Sequence, residues 1–279
     1  MQLQTEIEHL FSTQQKEWDQ LRSAVRQLDD MKTKTFSWDD QLHVNVQFNP
    51  ARSALMEASP QRENKPGVCC LCEPNRPAQQ RGIPFLDKYI ILCNPFPILR
   101  NHLTIPLFSH VPQRMGKKIR DMLTLAEQLP DYVVFYNGPD SGASIADHFH
   151  LQAGRKMPVL LQGDHELRSC LTIESENKNE VEELFDDVLH YLKGRQPEKE
   201  EPMMNVITYM DKNSYRVQVF PRRAHRPSCY YMEGKEKILV SPGAIDMAGC
   251  IITVREEDFD KIEKQHIIEI FTQVSLPVI

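Results

Sequence analysis

The amino-acid sequence predicts an α+β fold, in which helices and strands are mixed. Some segments repeat apolar residues at helical spacing, and others alternate apolar and polar residues as half-buried strands do. These segments do not follow the strict strand–helix–strand order of a parallel sheet, which favours α+β over α/β. The chain has 279 residues, of which 41% are hydrophobic, so it can bury a sizeable core.

The first predicted element is a helix over the first thirty residues. Leu3, Ile7 and Leu10 fall at helical spacing, and Trp18 and Leu21 continue the pattern. The later elements follow from the same two periodicities. We predict strands at 43–48, 89–93, 102–106, 132–136, 149–153, 205–210 and 215–220, and helices at 115–129, 181–192 and 253–271.

Two polar segments lie between these elements. Residues 195–202, RQPEKEEP, are the best linker candidate, and Gly194 before them is the expected C-cap of the preceding helix. Residues 57–67 are also polar and are broken by Pro and Gly, so they predict a loop. The predicted portions are an N-terminal helical segment at 1–40, a central portion at 41–194 and a C-terminal portion at 203–279.

The charge and the cysteines restrict the class of protein. A formal net charge of -6 makes the chain a poor candidate for general nucleic-acid binding, which needs a basic face. We expect no membrane helix, because no apolar run approaches about 18 residues. The N-terminus lacks the pattern of a secretory signal. Seven cysteines, three of them crowded together, do not suggest a disulfide framework, so we expect a cytoplasmic protein.

Two histidines and a glutamine form the main candidate site. His148, His150 and Gln152 alternate along a predicted strand, so their side chains share one face. A neutral imidazole is a competent nucleophile near neutral pH. A His-x-His pair alone is more often structural. The polar residues in the same short window make a site the better interpretation.

A glycine-containing turn precedes this strand. Gly138 and Gly142 permit backbone shapes in which N–H groups approach an anion closely. Ser144 adds a hydroxyl donor, and Asn137 adds an amide. Donors of this kind would stabilise charge on phosphoryl oxygens. The whole segment therefore suits attack on phosphorus.

The segment NGPDSGASIADHFHLQ resembles the active-site segment of the histidine-triad (HIT) superfamily, in its branch of nucleotidyltransferases and nucleotide phosphorylases. That branch includes galactose-1-phosphate uridylyltransferase, diadenosine tetraphosphate phosphorylase and the GDP-hexose phosphorylases. The segments NPFPILRNHLTIPLFSHVPQRM and VQFNPARS resemble further stretches of the GDP-hexose phosphorylases, and 203–260 resembles their distal half. The resemblance covers about residues 42–260 and is most specific at 101–152. An uncharacterised bacterial phosphorylase-like family is the expected match.

The resemblance implies an antiparallel HIT-like sheet flanked by helices, with a C-terminal α+β extension. It also implies roles for individual residues. His150 matches the nucleophile, and Gln152 matches a phosphate-contacting position. Asn137, Gly142 and Ser144 match positions that hold the phosphates and sugar of a nucleotide. Among these, we predict His150, Gln152 and Ser144 as catalytic.

Cys69 and Cys72 have the spacing of a zinc-binding pair, which alone is a weak signal. The resemblance to the uridylyltransferases implies two further ligands, His110 and His148. A site closed by four protein ligands would be structural. The alternative is two buried thiols and a surface histidine, and Cys70 could replace Cys69.

Basic residues elsewhere are weaker candidates. Arg100 and Asn101 are plausible phosphate contacts. A basic run is usually a solvated face, but the resemblance places Arg222 and Arg223 near the substrate as a possible anion clamp. The roles of several other residues stay open between substrate contact and structure. These are Arg76, His102, Arg155, Lys156 and Asp246.

The resulting hypothesis is a nucleotidyltransferase or phosphorylase that acts through a covalent nucleotidyl-His150 intermediate. Its expected partners are a nucleotide conjugate and phosphate, or a phosphate ester. The alternatives are a nucleotide hydrolase and a nucleotide-binding sensor without catalysis. The sequence leaves the base, the leaving group and the acceptor open. The amphipathic N-terminus could pack on its own chain or in a homodimer.

Overall fold

The computed structural model describes residues 2–39, 42–53, 69–161 and 167–278, and it confirms the α+β class. The predicted loop at 57–67 lies outside these ranges. The strands of the described residues are β1 Thr33–Ser37, β2 His43–Phe48, β3 Gly82–Phe85, β4 Tyr89–Cys93, β5 Leu103–Pro106, β6 Tyr132–Asn137, β7 His150–Arg155, β8 Leu171–Ser175, β9 Met204–Asp211, β10 Ser214–Pro221 and β11 Cys250–Thr253.

Two sheets organise these strands. The larger sheet is antiparallel and has the order β3-β4-β5-β7-β6-β9-β10-β8. The smaller sheet has the order β1-β2-β11, with β11 parallel to β2. Strands from both the central and the C-terminal predicted portions share the larger sheet, since β6 pairs with β9. The division into three portions stays a prediction.

The helices pack on the sheets in two layers. The helices of the described residues are α1 Gln2–Glu17, α2 Asp19–Asp29, α3 Ile119–Gln128, α4 Lys178–Arg195, α5 Ala244–Met247, α6 Glu256–Lys261 and α7 Lys264–Val274. No helix of the described ranges is long and apolar enough to cross a membrane.

Three helix predictions need correction. The predicted N-terminal helix is broken at Trp18, whose backbone is extended at φ -126 and ψ 99 while its side chain is buried. The break lets α2 fold back on α1, and residues after α2 form β1 rather than more helix. The last predicted helix is likewise divided into α6 and α7, because Ile262 is extended. Gly194 lies inside α4, and Gln196 is the C-cap.

The two faces of the large sheet belong to different cores. Along β7, Leu151 and Ala153 pack into the core that α1, α3 and α4 cover. Along β6, Val133 and Phe135 pack into the second core, with α5, α7 and the small sheet. Since side chains alternate along a strand, His150 and Gln152 face the second core. The C-terminal portion therefore covers the face that carries the predicted site.

Close packing at Gly154 of β7 generates a stability prediction. A Cβ there would lie 2.6 Å from Leu99 Cβ, and Leu99 is buried. We expect Gly154→Ala to destabilise the protein by about 1–3 kcal/mol, because the core has no room for a methyl group. Gly194→Ala is the control, because nothing lies within 4 Å of its added Cβ. It should be neutral or stabilise by up to about 1 kcal/mol. Urea unfolding of both variants measures this, and equal stabilities would contradict the packing argument.

Candidate active site

The large sheet divides where the predicted site lies. Pairing between β6 and β7 ends at Phe135 and Gln152. Beyond that point β7 still pairs with β5, up to His150 opposite Pro106, and β6 still pairs with β9, up to Asn137. We call the opening between Asn137 and His150 the fork. It places the predicted nucleophile on one strand and a predicted substrate contact on the other.

The side chain of Gln113 fills the fork. Its Oε1 accepts a hydrogen bond from the backbone N–H of His150 at 2.8 Å. Its Nε2 donates to the backbone carbonyls of Asn137 at 2.9 Å and His150 at 3.0 Å. Gln113 is fully buried. Gln113 lies in the family-like segment NPFPILRNHLTIPLFSHVPQRM, but no spacing or composition pattern predicts a role for it.

His150 is buried, and one contact defines which of its ring nitrogens carries the proton. Its Nδ1 lies 2.9 Å from the carbonyl oxygen of His148. A carbonyl can only accept, so Nδ1 carries the proton and Nε2 keeps its lone pair. In the part of the chain that the structure describes, Nε2 has no hydrogen-bond partner. Burial lowers the pKa of His150 to about 4, against the opposing effect of the His148 carbonyl. The ring is therefore neutral near pH 7.

His102 orients the side chain of Gln152. Its Nδ1 accepts from the backbone N–H of Ile98 at 3.1 Å, so a neutral ring carries its proton on Nε2. That Nε2–H donates to Gln152 Oε1 at 3.0 Å. Burial lowers the pKa of His102 to about 3, which keeps the ring neutral. The amide NH2 of Gln152 is therefore left to bind something else.

Asn137 is held in the same manner. Its Oδ1 accepts from the backbone N–H of Ala244 at 2.7 Å and from Asn205 Nδ2 at 2.9 Å. Because a backbone N–H can only donate, the oxygen is identified, and the NH2 group of Asn137 is the free end. These contacts also tie the start of α5 to the fork.

The glycine turn packs against the C-terminal portion. Gly142 has φ +95, and a Cβ there would lie 2.8 Å from Gly243 Cα. A side chain at this position would be strained and would separate the two segments. Ser144 is exposed and forms no hydrogen bond within the described residues. Its catalytic role stays a prediction.

The structure brings the four predicted metal ligands together. One ligand atom from each of Cys69, Cys72, His110 and His148 lies within 4.8 Å of the others. Sγ of Cys69 is 3.3 Å from His148 Nδ1, and Sγ of Cys72 is 3.3 Å from His110 Nδ1. Tetrahedral zinc with ordinary bond lengths separates sulfur and nitrogen ligands by about 3.5 Å. The arrangement fits that geometry, and Cys69 rather than Cys70 is its member.

Both cluster histidines present Nδ1 to the cysteines, and His148 has a hydrogen-bond acceptor at Nε2. His148 Nε2 lies 2.8 Å from the Leu107 carbonyl, whereas His110 Nε2 lies 3.6 Å from Asp147 Oδ2, beyond hydrogen-bond distance. The Leu107 carbonyl holds the proton of His148 on Nε2 and leaves its Nδ1 for a metal. Burial and the neighbouring Cys69 raise the pKa of the Cys72 thiol. A cation would be needed to hold both thiolates at neutral pH.

The predicted anion clamp does not fit the structure. Arg222 is fully buried, and its guanidinium group donates to the protein from every nitrogen. The acceptors are Asn205 Oδ1 and the carbonyls of Val274, Pro242, Ala224 and His225. Arg223 is exposed and donates to carbonyls at the end of α7. Arg222 is thus a structural hub, and Arg223 caps a helix.

Arg100 and Asn101 also lie away from the fork. The backbone N–H of Arg155 donates to the Arg100 carbonyl, which places this loop beside the far end of β7. That end is five residues from His150, or about 16 Å along a strand. Arg100 pairs with Asp29, and Asn101 donates to the Tyr132 hydroxyl. We therefore do not retain their predicted phosphate contact.

Arg52 is a charged residue near the site that the sequence analysis missed. Its Nη1 donates to the Phe96 carbonyl at 2.5 Å, and its charge acts on both His102 and Asp246. Burial lowers the pKa of Arg52 to about 10, so it stays charged. Asp246 accepts from the backbone N–H groups of Gly243 and Ile252, which gives it a bracing role. The signal for Arg52 lay in the family-like segment VQFNPARS.

Comparison with known proteins confirms the predicted resemblance. Residues 10–155 match the family described as "Domain of unknown function (DUF4922)", and the chain belongs to that family. Residues 167–278 match the family described as "GDPGP1-like, C-terminal domain". No curated protein has a significantly similar sequence.

Solved structures of yeast Ap4A phosphorylase Apa2 have the same fold. One superposes with a TM-score of 0.61 at 18% identity, covering 93% of this chain and 97% of that one. Its complex with AMP gives a TM-score of 0.62 at 17% identity, covering 93% and 96%. Its complex with Ap4A gives 0.62 at 18%, covering 93% and 97%.

The contacts of Arg222 generate a prediction that separates a structural role from an anion clamp. We expect Arg222→Met to lower the free energy of unfolding by more than about 3 kcal/mol, because several buried acceptors lose their donor. Arg223→Met, at the exposed neighbour, should cost about 1 kcal/mol or less. Urea unfolding measures both. A normally stable Arg222→Met protein with weakened substrate binding would restore the clamp hypothesis.

Proposed function

We propose that this protein is a nucleotide phosphorylase that cleaves a nucleotide conjugate through a covalent nucleotidyl-His150 intermediate. The observation that carries the proposal is the neutral, buried His150 ring, whose Nε2 is unpartnered within the described residues at the fork. The fold shared with yeast Ap4A phosphorylase Apa2 supports it. The conjugate is a dinucleoside polyphosphate or a nucleoside diphosphate sugar.

In the first step, the lone pair of His150 Nε2 attacks the α-phosphorus. A P–N bond forms, and the bond from phosphorus to the bridging oxygen breaks, so the leaving group departs as a phosphate ester with the electron pair. The ring becomes cationic. The His148 carbonyl, which accepts a hydrogen bond from Nδ1–H, stabilises that charge.

In the second step, an oxygen of inorganic phosphate attacks the same phosphorus. The P–N bond breaks, its electrons return to Nε2, and a nucleoside diphosphate leaves. The free amide NH2 groups of Gln152 and Asn137 are suited to bind phosphoryl oxygens in both steps. The positive charge of Arg52 favours an anion on this face of the sheet.

The covalent step makes the first functional prediction. We expect His150→Ala to reduce turnover by more than about a thousandfold, because no other group replaces the nucleophile. It should also prevent transfer of label from an α-labelled conjugate to the protein. His190→Ala, on the surface of α4, is the control and should keep both properties. The assay uses Ap4A and nucleoside diphosphate sugars, each with and without phosphate.

The outcomes separate the competing functions. Turnover that requires phosphate and yields a nucleoside diphosphate supports a phosphorylase. Equal turnover with and without phosphate would identify a hydrolase. If nucleotides bind but never label His150, the protein is a sensor and the proposal fails.

We also propose that Cys69, Cys72, His110 and His148 hold a structural zinc ion. The donor set, the separation of the ligand atoms and the acceptor at His148 Nε2 fit the ion. Four protein ligands would close the coordination sphere, so the metal would fix the fold and take no part in the reaction. It would hold His148, whose carbonyl orients His150.

Metal content tests this second proposal. Purified protein should contain about one zinc per chain, and Cys72→Ser should lose it and unfold at lower temperature. Cys70→Ser is the matched control, since its neighbour Cys69 supplies the thiol to the cluster. It should keep the zinc. Elemental analysis and thermal unfolding measure this. Zinc loss in Cys70→Ser alone, or wild-type protein without zinc, would contradict the assignment.

A further inference from the structure

Gln113 replaces part of the large sheet at the point where the proposed chemistry occurs. Continuing the register of β6 and β7 by two residues would place Asn137 directly opposite His150. Directly paired residues have Cβ atoms about 4.5–5.5 Å apart. A phosphoryl group would not fit between side chains held so closely. Instead, the amide of Gln113 lies between the two backbones.

The amide of Gln113 matches the groups it replaces. Direct pairing would satisfy the backbone of His150 and Asn137 with each other. Here one oxygen accepts from the His150 N–H, and one NH2 group donates to the two carbonyls. The N–H and carbonyl of His150 and the carbonyl of Asn137 thus keep hydrogen-bond partners, which lowers the cost of separating the strands.

The backbone of Gln113 is itself held in place. Its N–H donates to the carbonyl of Ala146 at 3.0 Å. Its carbonyl lies 3.2 Å from the Tyr136 hydroxyl, whose single proton is shared with Glu201 Oε1. Tyr136 belongs to β6, and Ala146 belongs to the segment that leads to His150. The backbone of Gln113 therefore contacts both sides of the fork.

We propose that Gln113 is a positioning residue that sets the separation between His150 and Asn137, and so opens the space in which a phosphoryl group meets His150 Nε2. Its effect on turnover rests on the proposed function. Its effect on the backbone of His150 does not, and the two effects are measured separately.

The experiment compares Gln113→Met with Gln196→Met. Gln196 is a matched control, because its buried amide also bridges two backbone groups, the Arg222 carbonyl and the Met203 N–H. Both variants should lose similar stability. Only Gln113→Met should lose about a hundredfold in kcat, since a displacement near 1 Å has that effect. The Kd for AMP should change much less than kcat.

Hydrogen exchange at the His150 amide provides the readout independent of activity. In Gln113→Met this amide should exchange at least about tenfold faster than in wild type, because it loses its acceptor. In Gln196→Met it should not change. Gln113→Glu keeps an accepting oxygen, so it should protect the amide better than Met. It should still lose turnover, because it has too few donors for both carbonyls.

The outcomes distinguish the two proposals. Inactive wild-type protein with faster exchange only in Gln113→Met would reject the proposed function and retain the positioning role. Active wild-type protein with normal kcat in Gln113→Met would overturn the positioning role. So would unchanged exchange at His150. If Gln113→Met does not fold, Gln113→Glu decides by the same two measurements.

Discussion

The hydrogen bond from His150 Nδ1 to the His148 carbonyl is the interaction on which the site depends. It fixes the proton on one nitrogen and leaves the lone pair on the other. A histidine in water would share its proton between both nitrogens and would be partly charged near neutral pH. Burial removes that charge, and the carbonyl selects the tautomer. The neutral imidazole that the proposed attack on phosphorus requires thus follows from the fold rather than from a neighbouring base.

The side chains of His102, Gln152 and Asn137 are oriented by the same rule. A backbone N–H can only donate and a backbone carbonyl can only accept. A backbone group therefore determines which end of a neighbouring imidazole or amide side chain faces it. The backbone N–H of Ile98 donates to His102 Nδ1 and so places the ring proton on Nε2. That Nε2–H then donates to Gln152 Oε1 and so fixes the orientation of the amide. The backbone N–H of Ala244 donates to Asn137 Oδ1 and so fixes the orientation of that amide. The NH2 groups of Gln152 and Asn137 are therefore oriented before a substrate binds. Such preorganised donors are what electrostatic stabilisation of a developing charge requires.

Local pattern predicted much of this arrangement, and tertiary contacts account for what it missed. Alternation along 149–153 placed His150 and Gln152 on one face, and the family-like motif selected His150 as the proposed nucleophile. The roles of Gln113 and Arg52 depend on residues far away in sequence, so no spacing rule reveals them. The basic run containing Arg222 was misjudged because composition does not show burial. The break at Trp18 was missed because helical spacing continues across it.

His148 couples the two parts of the site through a single residue. Its ring belongs to the cysteine and histidine cluster, and its carbonyl orients His150 two positions along the chain. The ring also donates to the Leu107 carbonyl, just beyond β5, so this contact ties the segment before β7 to the end of β5. A displacement of the cluster would therefore move the His148 carbonyl and break its hydrogen bond with His150 Nδ1–H. Since a buried imidazole without that acceptor would lose its defined tautomer, the order of the cluster supports the chemistry proposed at the fork.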